Sequence, residues 1–300
     1  MKIERIYIAC YKRGVHLTRC CVASIRHCYP ELPISLIKDE IDGPYDTSDM
    51  QQYWDVDVLR TKQRHFGRGM SKFEALTLPR RQRCLILDND IVFLGRVIER
   101  LERFDEDFVV ASHGGPPEQF ETHYFNQRLL KQIDPRFQYR GGAFNTGQFV
   151  ATTGVLGPAD LAEHLTAREP RTAARPDIFQ ACEQGLVNYL LLKRWQQGSV
   201  SLRHDGFMWW SEWLKPGHVT VADLQCRHDL AVLLHWAGPK PATIDAMRHS
   251  EILRFFHDMY FSRIPEAVRQ RIEQSADAVS SREQRLRAAA LKILHEHIGS

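Results

Sequence analysis

The chain has 300 residues, 43% of them apolar and 26% charged, with a net charge of +3; this suits one large soluble α/β domain and a modest appendage. The charge balance gives no reason to expect a nucleic-acid partner, and no run approaches the ~20 apolar residues of a membrane span. Seven scattered cysteines with no C-x-x-C pair, and no signal-type segment at the N-terminus, exclude a zinc ribbon and a disulfide framework and lead us to expect buried thiols in a cytoplasmic protein.

The first half alternates strand and helix patterns. Ile3–Cys10 reads as a strand, and Val15–Tyr29 as a helix with Leu17, Cys21, Ile25 and Cys28 on one stripe. Ile34–Ile37 and Val56–Leu59 follow as strands, Met70–Leu78 as a short helix, Cys84–Leu87 as a buried strand and Phe108–Ser112 as another. Residues 113–142 are too long and irregular for a simple connector. Gln148–Thr152 is expected as a strand, Ala159–Arg168 and Ile178–Trp195 as helices, and Ala231–Trp236 as a late strand. Such alternation predicts a mostly parallel sheet with helices on both faces. From Asp245 the pattern is helical, in segments around Ile252–Met259, Pro265–Ile272 and Leu286–Leu294, with Ser280 and Glu283 as a capping box for the last. The expected division is a domain over 1–244 and a helical extension over 245–300, packed on the domain or on a second subunit.

Chemistry concentrates at five places. Cys84-Leu-Ile-Leu-Asp88-Asn-Asp90 ends an apolar strand in two carboxylates at i and i+2, able to face one cation beyond the carboxyl end of the sheet. Two hard oxygen ligands suit Mg²⁺ or Mn²⁺ with a nucleoside diphosphate; a solvated turn is the plain alternative. Upstream, Arg60–Arg83 holds eight Lys or Arg against one acid, Glu74, and includes Phe66-Gly-Arg68-Gly-Met-Ser-Lys72, which is either a phosphate-neutralising stretch or a solvated surface. Gly141-Gly-Ala-Phe-Asn145-Thr-Gly147 could bring backbone and an amide close to a ligand, or form an ordinary turn. Cys182-Glu183-Gln184-Gly185 is a polar interruption in an apolar helical pattern. Leu233-Leu-His235-Trp-Ala-Gly238-Pro-Lys240-Pro241 ends a strand in a histidine and then displays a lysine.

In this order, over residues 3–241, these segments resemble the GT-A glycosyltransferases, and most the retaining family-8 type that includes glycogenin and bacterial lipopolysaccharide galactosyl- and glucosyltransferases. The family pattern is D-x-D, F-N-[SA]-G, D-Q-G or D-Q-D, and H-x-x-G-x-x-K-P-W. The chain has Asp88-Asn-Asp90, Phe144-Asn145-Thr-Gly147, Glu183-Gln184-Gly185 and His235-Trp-Ala-Gly238-Pro-Lys240-Pro241. Ser71-Lys72-Phe also looks like the T-K-L of glycogenin-like members. Glu183 replaces the usual Asp, the last segment is one residue short, and Ala242 stands where Trp is usual.

The resemblance implies an α/β fold of GT-A type, a Rossmann-like mixed sheet flanked by helices with a helical C-terminal extension. It implies a nucleotide-sugar donor, most often UDP-linked, with Mn²⁺ or Mg²⁺, and hexose transfer to a glycan, lipid-linked or other hydroxyl acceptor with retention. Asp88, Asp90 and His235 would hold the metal. Ala9, Cys10, Tyr11, Arg68, Lys72, Asp88, Asn89, Gly238 and Lys240 would meet the donor, while Asn145, Glu183 and Gln184 would surround the transferred sugar. The Trp209, Trp210 and Trp213 cluster could stack an acceptor sugar or simply pack in the core. Eight basic against seven acidic residues from Ser250 onward do not support a polybasic membrane anchor, although some bacterial relatives sit peripherally at the inner membrane face. The rival readings are a non-catalytic sugar-nucleotide-binding protein and a metal-dependent phosphatase.

Overall fold

A computed structural model describes residues 1–60, 66–67, 69–112, 117–179, 183–226, 229–241 and 243–274. The chain divides into two units, 1–257 and a second beginning at Asp258, of which residues 258–274 are described. The strands are β1 (Arg5–Tyr11), β2 (Ile34–Asp39), β3 (Val56–Val58), β4 (Arg83–Asp88), β5 (Ile91–Phe93), β6 (Phe108–Ser112), β7 (Phe144–Thr152), β8 (Leu202–His204), β9 (Met208–Trp210) and β10 (Leu233–His235). The helices are α1 (Val15–Cys28), α2 (Ser48–Trp54), α3 (Lys72–Leu76), α4 (Ile98–Leu101), α5 (Phe120–His123), α6 (Gln127–Ile133), α7 (Pro158–Ala162), α8 (Glu183–Gln196), α9 (Val221–Cys226) and α10 (Ser250–Phe261).

Seven strands form one sheet in the order β3-β2-β1-β4-β7-β6-β8. The continuous apolar runs of β1 and β4 occupy its middle, as strands buried on both faces should. The β3-β2-β1-β4 half is parallel, but β7 runs antiparallel to both β4 and β6. β8 runs parallel to β6, so β7 alone is reversed: the sheet is mostly parallel, as expected, and mixed through this one strand. This reversal puts the start of β7 beside the end of β4, which determines where the site lies. Alternation along β4 sends Ile86 into a core shared with Val110, Phe149 and the α8 residues Leu186, Val187, Leu190 and Leu191. The opposite face is lined by wholly buried Ile6, Ile8, Leu85 and Leu87. Each such side chain removed from water contributes about 1.5–3 kcal/mol.

A second sheet, in the order β5-β10-β9, lies off the carboxyl end of β4. α1 packs against β5 in this region. Ser24 of α1 bridges the two, accepting from the Phe93 amide at 3.0 Å and donating to the Cys21 carbonyl at 2.7 Å.

Several boundaries differ from the sequence expectation. α8 starts at Glu183, not Ile178, because Phe179 bridges Phe125 and the Ile178 carbonyl accepts from the Asn126 amide. Glu183 and Gln184 thus open the helix instead of interrupting it. α7 stops at Ala162, since Leu165 pairs with Ala173. β7 begins four residues early, at Phe144, because its register on β6 slips between Val110↔Phe149 and Ser112↔Phe144 to admit extra residues. Five cysteines, 10, 20, 21, 28 and 84, are buried thiols and Cys226 is exposed. Arg68, Cys182, Ala242, the capping pair Ser280 and Glu283 and the segment Leu286–Leu294 lie outside the described residues. No helix of the described residues is long and apolar enough to cross a membrane.

Candidate active site

Asp88 closes β4 and Asp90 immediately precedes β5, so a tight turn separates the two carboxylates. Asn89 fixes that turn. Its Nδ2 donates to the Gly14 carbonyl at 2.6 Å and to Thr18 Oγ1 at 3.3 Å, and a β-carbon on Gly14 would collide with the Asn89 carboxamide. His235 is delivered by strand pairing. In the antiparallel β5–β10 ladder it stands opposite Ile91, and the Trp236 amide donates to the Asp90 carbonyl at 3.0 Å. From parallel β9, Trp210 stacks on the imidazole with ring centroids 5.1 Å apart. One ligand atom each from Asp88, Asp90 and His235 then falls within 4.8 Å of the others.

This donor set fits a hard or borderline divalent cation. Asp90 and His235 are buried and Asp88 is half-buried. His235 Nδ1 has no hydrogen-bond partner, and an orphaned buried nitrogen costs about 1–3 kcal/mol. Gly147 backs the ring so closely that a β-carbon there would overlap it.

Two lysines balance the carboxylates. Lys240 is ion-paired with Asp90 Oδ2, while His235 Nε2 lies 3.3 Å from Asp90 Oδ1. Burial disfavours the Asp90 carboxylate, yet His235 and Lys240 outweigh it and hold its pKa well below the usual range. Lys72, at 2% exposed, donates to Asp88 Oδ1 at 2.6 Å, Glu183 Oε1 at 2.7 Å and the Thr146 carbonyl at 2.7 Å. Burial works against its charge, but the carboxylates of Asp88 and Glu183 prevail and raise its pKa. Burial pushes Glu183 up, and the nearby Asp88 adds to this against the pull of Lys72. All three ammonium protons of Lys72 are thus directed at protein acceptors.

The start of β7 and the first turn of α8 form one network. Gln184 Oε1 accepts from Asn145 Nδ2 and from the Thr146 amide, both at 3.1 Å, while its Nε2 donates to the His123 carbonyl at 2.9 Å. Asn145 Oδ1 accepts from the Gly147 amide at 2.8 Å. Asn188, fully buried one turn into α8, clamps Phe144: its Oδ1 accepts from the Phe144 amide and its Nδ2 donates to the Phe144 carbonyl, both at 2.9 Å.

The structure therefore brings Lys72, Asp88, Asp90, Asn145, Glu183, Gln184, His235 and Lys240 together. Ala9 pairs beside Asp88 in the β1–β4 ladder. Tyr11, 39% exposed at the end of β1, has its hydroxyl pKa raised by burial and then by Asp90 and Asp88. The Cys10 thiol instead points inward, 3.1 Å from Thr18 Oγ1, and burial pushes its pKa up. Asn89 is likewise buried at the β1–α1 junction. Gly238, at φ +77°, shapes the turn that presents Lys240. The tryptophan cluster divides: Trp210 covers His235, while Trp213 is 62% exposed. Sequence reasoning missed Thr146 and Asn188, which act through backbone groups and leave no spacing signal. It also missed Asp39, the last residue of β2, which accepts from the Ile41 and Gly69 amides at 3.1 and 3.2 Å. A carboxylate at a parallel strand's end was the available clue.

No protein-family model matches the chain, and no curated protein matches it in sequence. Solved structures do match in three dimensions. The galactosyltransferase LgtC, in complex with donor and acceptor sugar analogs, superposes with TM-score 0.53 at 12% identity, covering 89% of this chain and 99% of LgtC. An active-site glutamine-to-glutamate mutant of LgtC gives TM-score 0.54 at 11% identity, with 88% and 99% covered. The apo bifunctional glycosyltransferase WbbM gives TM-score 0.55 at 10% identity, covering 88% of this chain and 50% of WbbM. The fold is that of the GT-A glycosyltransferases. The ordered motifs pointed to the same structural class.

Proposed function

We propose that the chain is a metal-dependent glycosyltransferase that moves a hexose from a nucleotide-sugar, in the first instance a UDP-sugar, to a hydroxyl acceptor with retention of the anomer. The observation that carries this reading is the convergence of Asp88, Asp90 and His235 at the carboxyl edge of a GT-A sheet. Mn²⁺ or Mg²⁺ held by these residues would supply Lewis-acid stabilisation of the diphosphate leaving group. The remaining roles fall to the chain. Ala9 and Tyr11 line the strand end where the base and ribose would lie. Lys240 brings a positive charge to the phosphates. Asn145 and Gln184, locked to one another, present a rigid polar edge to the sugar hydroxyls, which favours a preorganised site. Glu183 stands behind Lys72 and fixes its charge.

An acceptor would enter beside this edge. A cleft of about 450 Å³ is lined by Glu212, Trp213, Trp236, Lys240, Met247 and Arg248, and it adjoins the metal ligands through Lys240. The exposed Trp213 ring suits stacking on a sugar of a glycan or lipid-linked acceptor.

The test is a thermal-shift and donor-hydrolysis screen of UDP-, GDP- and CMP-sugars with and without Mn²⁺, on wild type and Asp90→Ala. Metal-dependent stabilisation and slow nucleotide release by one donor, both lost in the variant, are expected. No response to any sugar nucleotide would overturn the reading.

A further inference from the structure

The carboxylates that face the cation site already carry cations supplied by the chain, and the two differ in how easily they can leave. Lys72 sits in α3, is 2% exposed and satisfies three acceptors on separate elements. Moving it would strand Asp88 and Glu183 together. Lys240 is on the turn after β10, with a side chain 20% exposed. Beyond Asp90, its one other acceptor among the described residues is the Gly238 carbonyl of its own turn, at 2.7 Å. Gly238 has φ +77° and open space where a β-carbon would lie. Rotation of the Lys240 side chain alone would release Asp90, and the side chain borders the open cleft into which it could turn.

We propose that Lys240 is a resident counter-ion: it neutralises Asp90 in the metal-free chain, yields that oxygen to an arriving divalent cation, and turns its ammonium to the donor diphosphate. This rests on the metal-site reading above. Without a cation, Asp88 keeps its partner Lys72, while the more deeply buried Asp90 beside it needs a counter-charge of its own, which Lys240 supplies. Pairing with Lys240 stabilises the metal-free site and so weakens its affinity for metal alone. A diphosphate that attracts Lys240 removes this competition. Linkage is reciprocal, so metal and nucleotide should bind with positive cooperativity that runs through this one side chain.

The experiment is a calorimetric titration of Mn²⁺ into the full chain, with and without UDP, using wild type, Lys240→Met and Lys240→Arg. Lys240→Met is expected to bind Mn²⁺ alone about fivefold or more tighter than wild type, and to gain less from UDP. Lys240→Arg, which keeps a cation, should retain the weak metal-only binding. In EDTA, Lys240→Met should melt below wild type, and saturating Mn²⁺ should abolish the difference. Unchanged or weaker Mn²⁺ binding by Lys240→Met overturns the proposal while leaving the metal site standing. No Mn²⁺ binding by any of the three removes both.

Discussion

Gly147 lies directly beneath the His235 imidazole, where any side chain would displace the ring. The glycine of the β7 motif and the histidine of β10 are thus two sides of one contact. Gly147→Ala should push His235 off Asp90, weaken Mn²⁺ binding at least tenfold and cost about 1–3 kcal/mol of stability through overpacking. Parallel metal titration and urea unfolding would check this. Full metal affinity in the variant would show that the ring can move without loss.

Lys72 is buried among two carboxylates and a carbonyl, so removing it leaves charges unpaired rather than merely losing a contact. Lys72→Met should destabilise the fold by about 3–5 kcal/mol. Adding Glu183→Gln should recover part of that loss, because one of the stranded charges disappears. Denaturant midpoints of the single and double variants measure the coupling, and strict additivity would refute it.

Asn188 touches neither the carboxylates nor His235 in any hydrogen bond described, yet it holds both backbone groups of Phe144 and donates to the Gln184 carbonyl at 2.9 Å. Asn188→Leu should cost about 2–4 kcal/mol by leaving these groups unpaired in the core. It should also lower the proposed transfer activity by loosening Asn145 and Gln184. Normal turnover in a destabilised variant would separate the clamp from the chemistry.

His16, in the first turn of α1, has its pKa lowered to about 4, first by burial and then by the charges of Arg19 and His257. Its Nε2 is buried without a hydrogen-bond partner. The unfolded chain therefore takes up a proton near pH 6.5 that the folded chain refuses. Stability from this group is full above pH 6.5, falls as pH drops, and stops falling below about 4, with a ceiling of about 3 kcal/mol. Unfolding measured from pH 7.5 to 4 should show this slope, and His16→Phe should flatten it. An unchanged slope would assign the effect elsewhere.

The fold class was legible in the sequence, whereas the strand pairings that bring the candidate residues together were not. Asp88, Asp90 and His235 announce themselves because an apolar strand that stops at a charged residue marks a sheet edge. The β5–β10 pairing that unites them could not be read, since Ile91–Phe93 and Leu233–His235 are three residues each and give too little periodicity. The reversal of β7 was equally hidden, because a strand buried on both faces carries the same apolar run in either direction. The inward turn of Cys10 and Asn89 depends on α1, and no spacing within their own segments reveals it. Glu183 and Gln184 were found for their polarity, but their place in the first turn came from the Phe125–Phe179 bridge, a contact distant in sequence.

The arrangement of the small sheet also bears on the order of synthesis. β10 lies between β5 and β9, and every strand of the seven-stranded sheet precedes it in the chain. A nascent polypeptide can complete that large sheet while Asp88 and Asp90 still lack both the imidazole of His235 and the ammonium of Lys240. A product stopped between β9 and β10 would keep a near-intact scaffold but an unfinished cluster. Possession of the histidine therefore separates products that have run through β10 from shorter ones, and only the longer ones unite Asp88, Asp90 and His235.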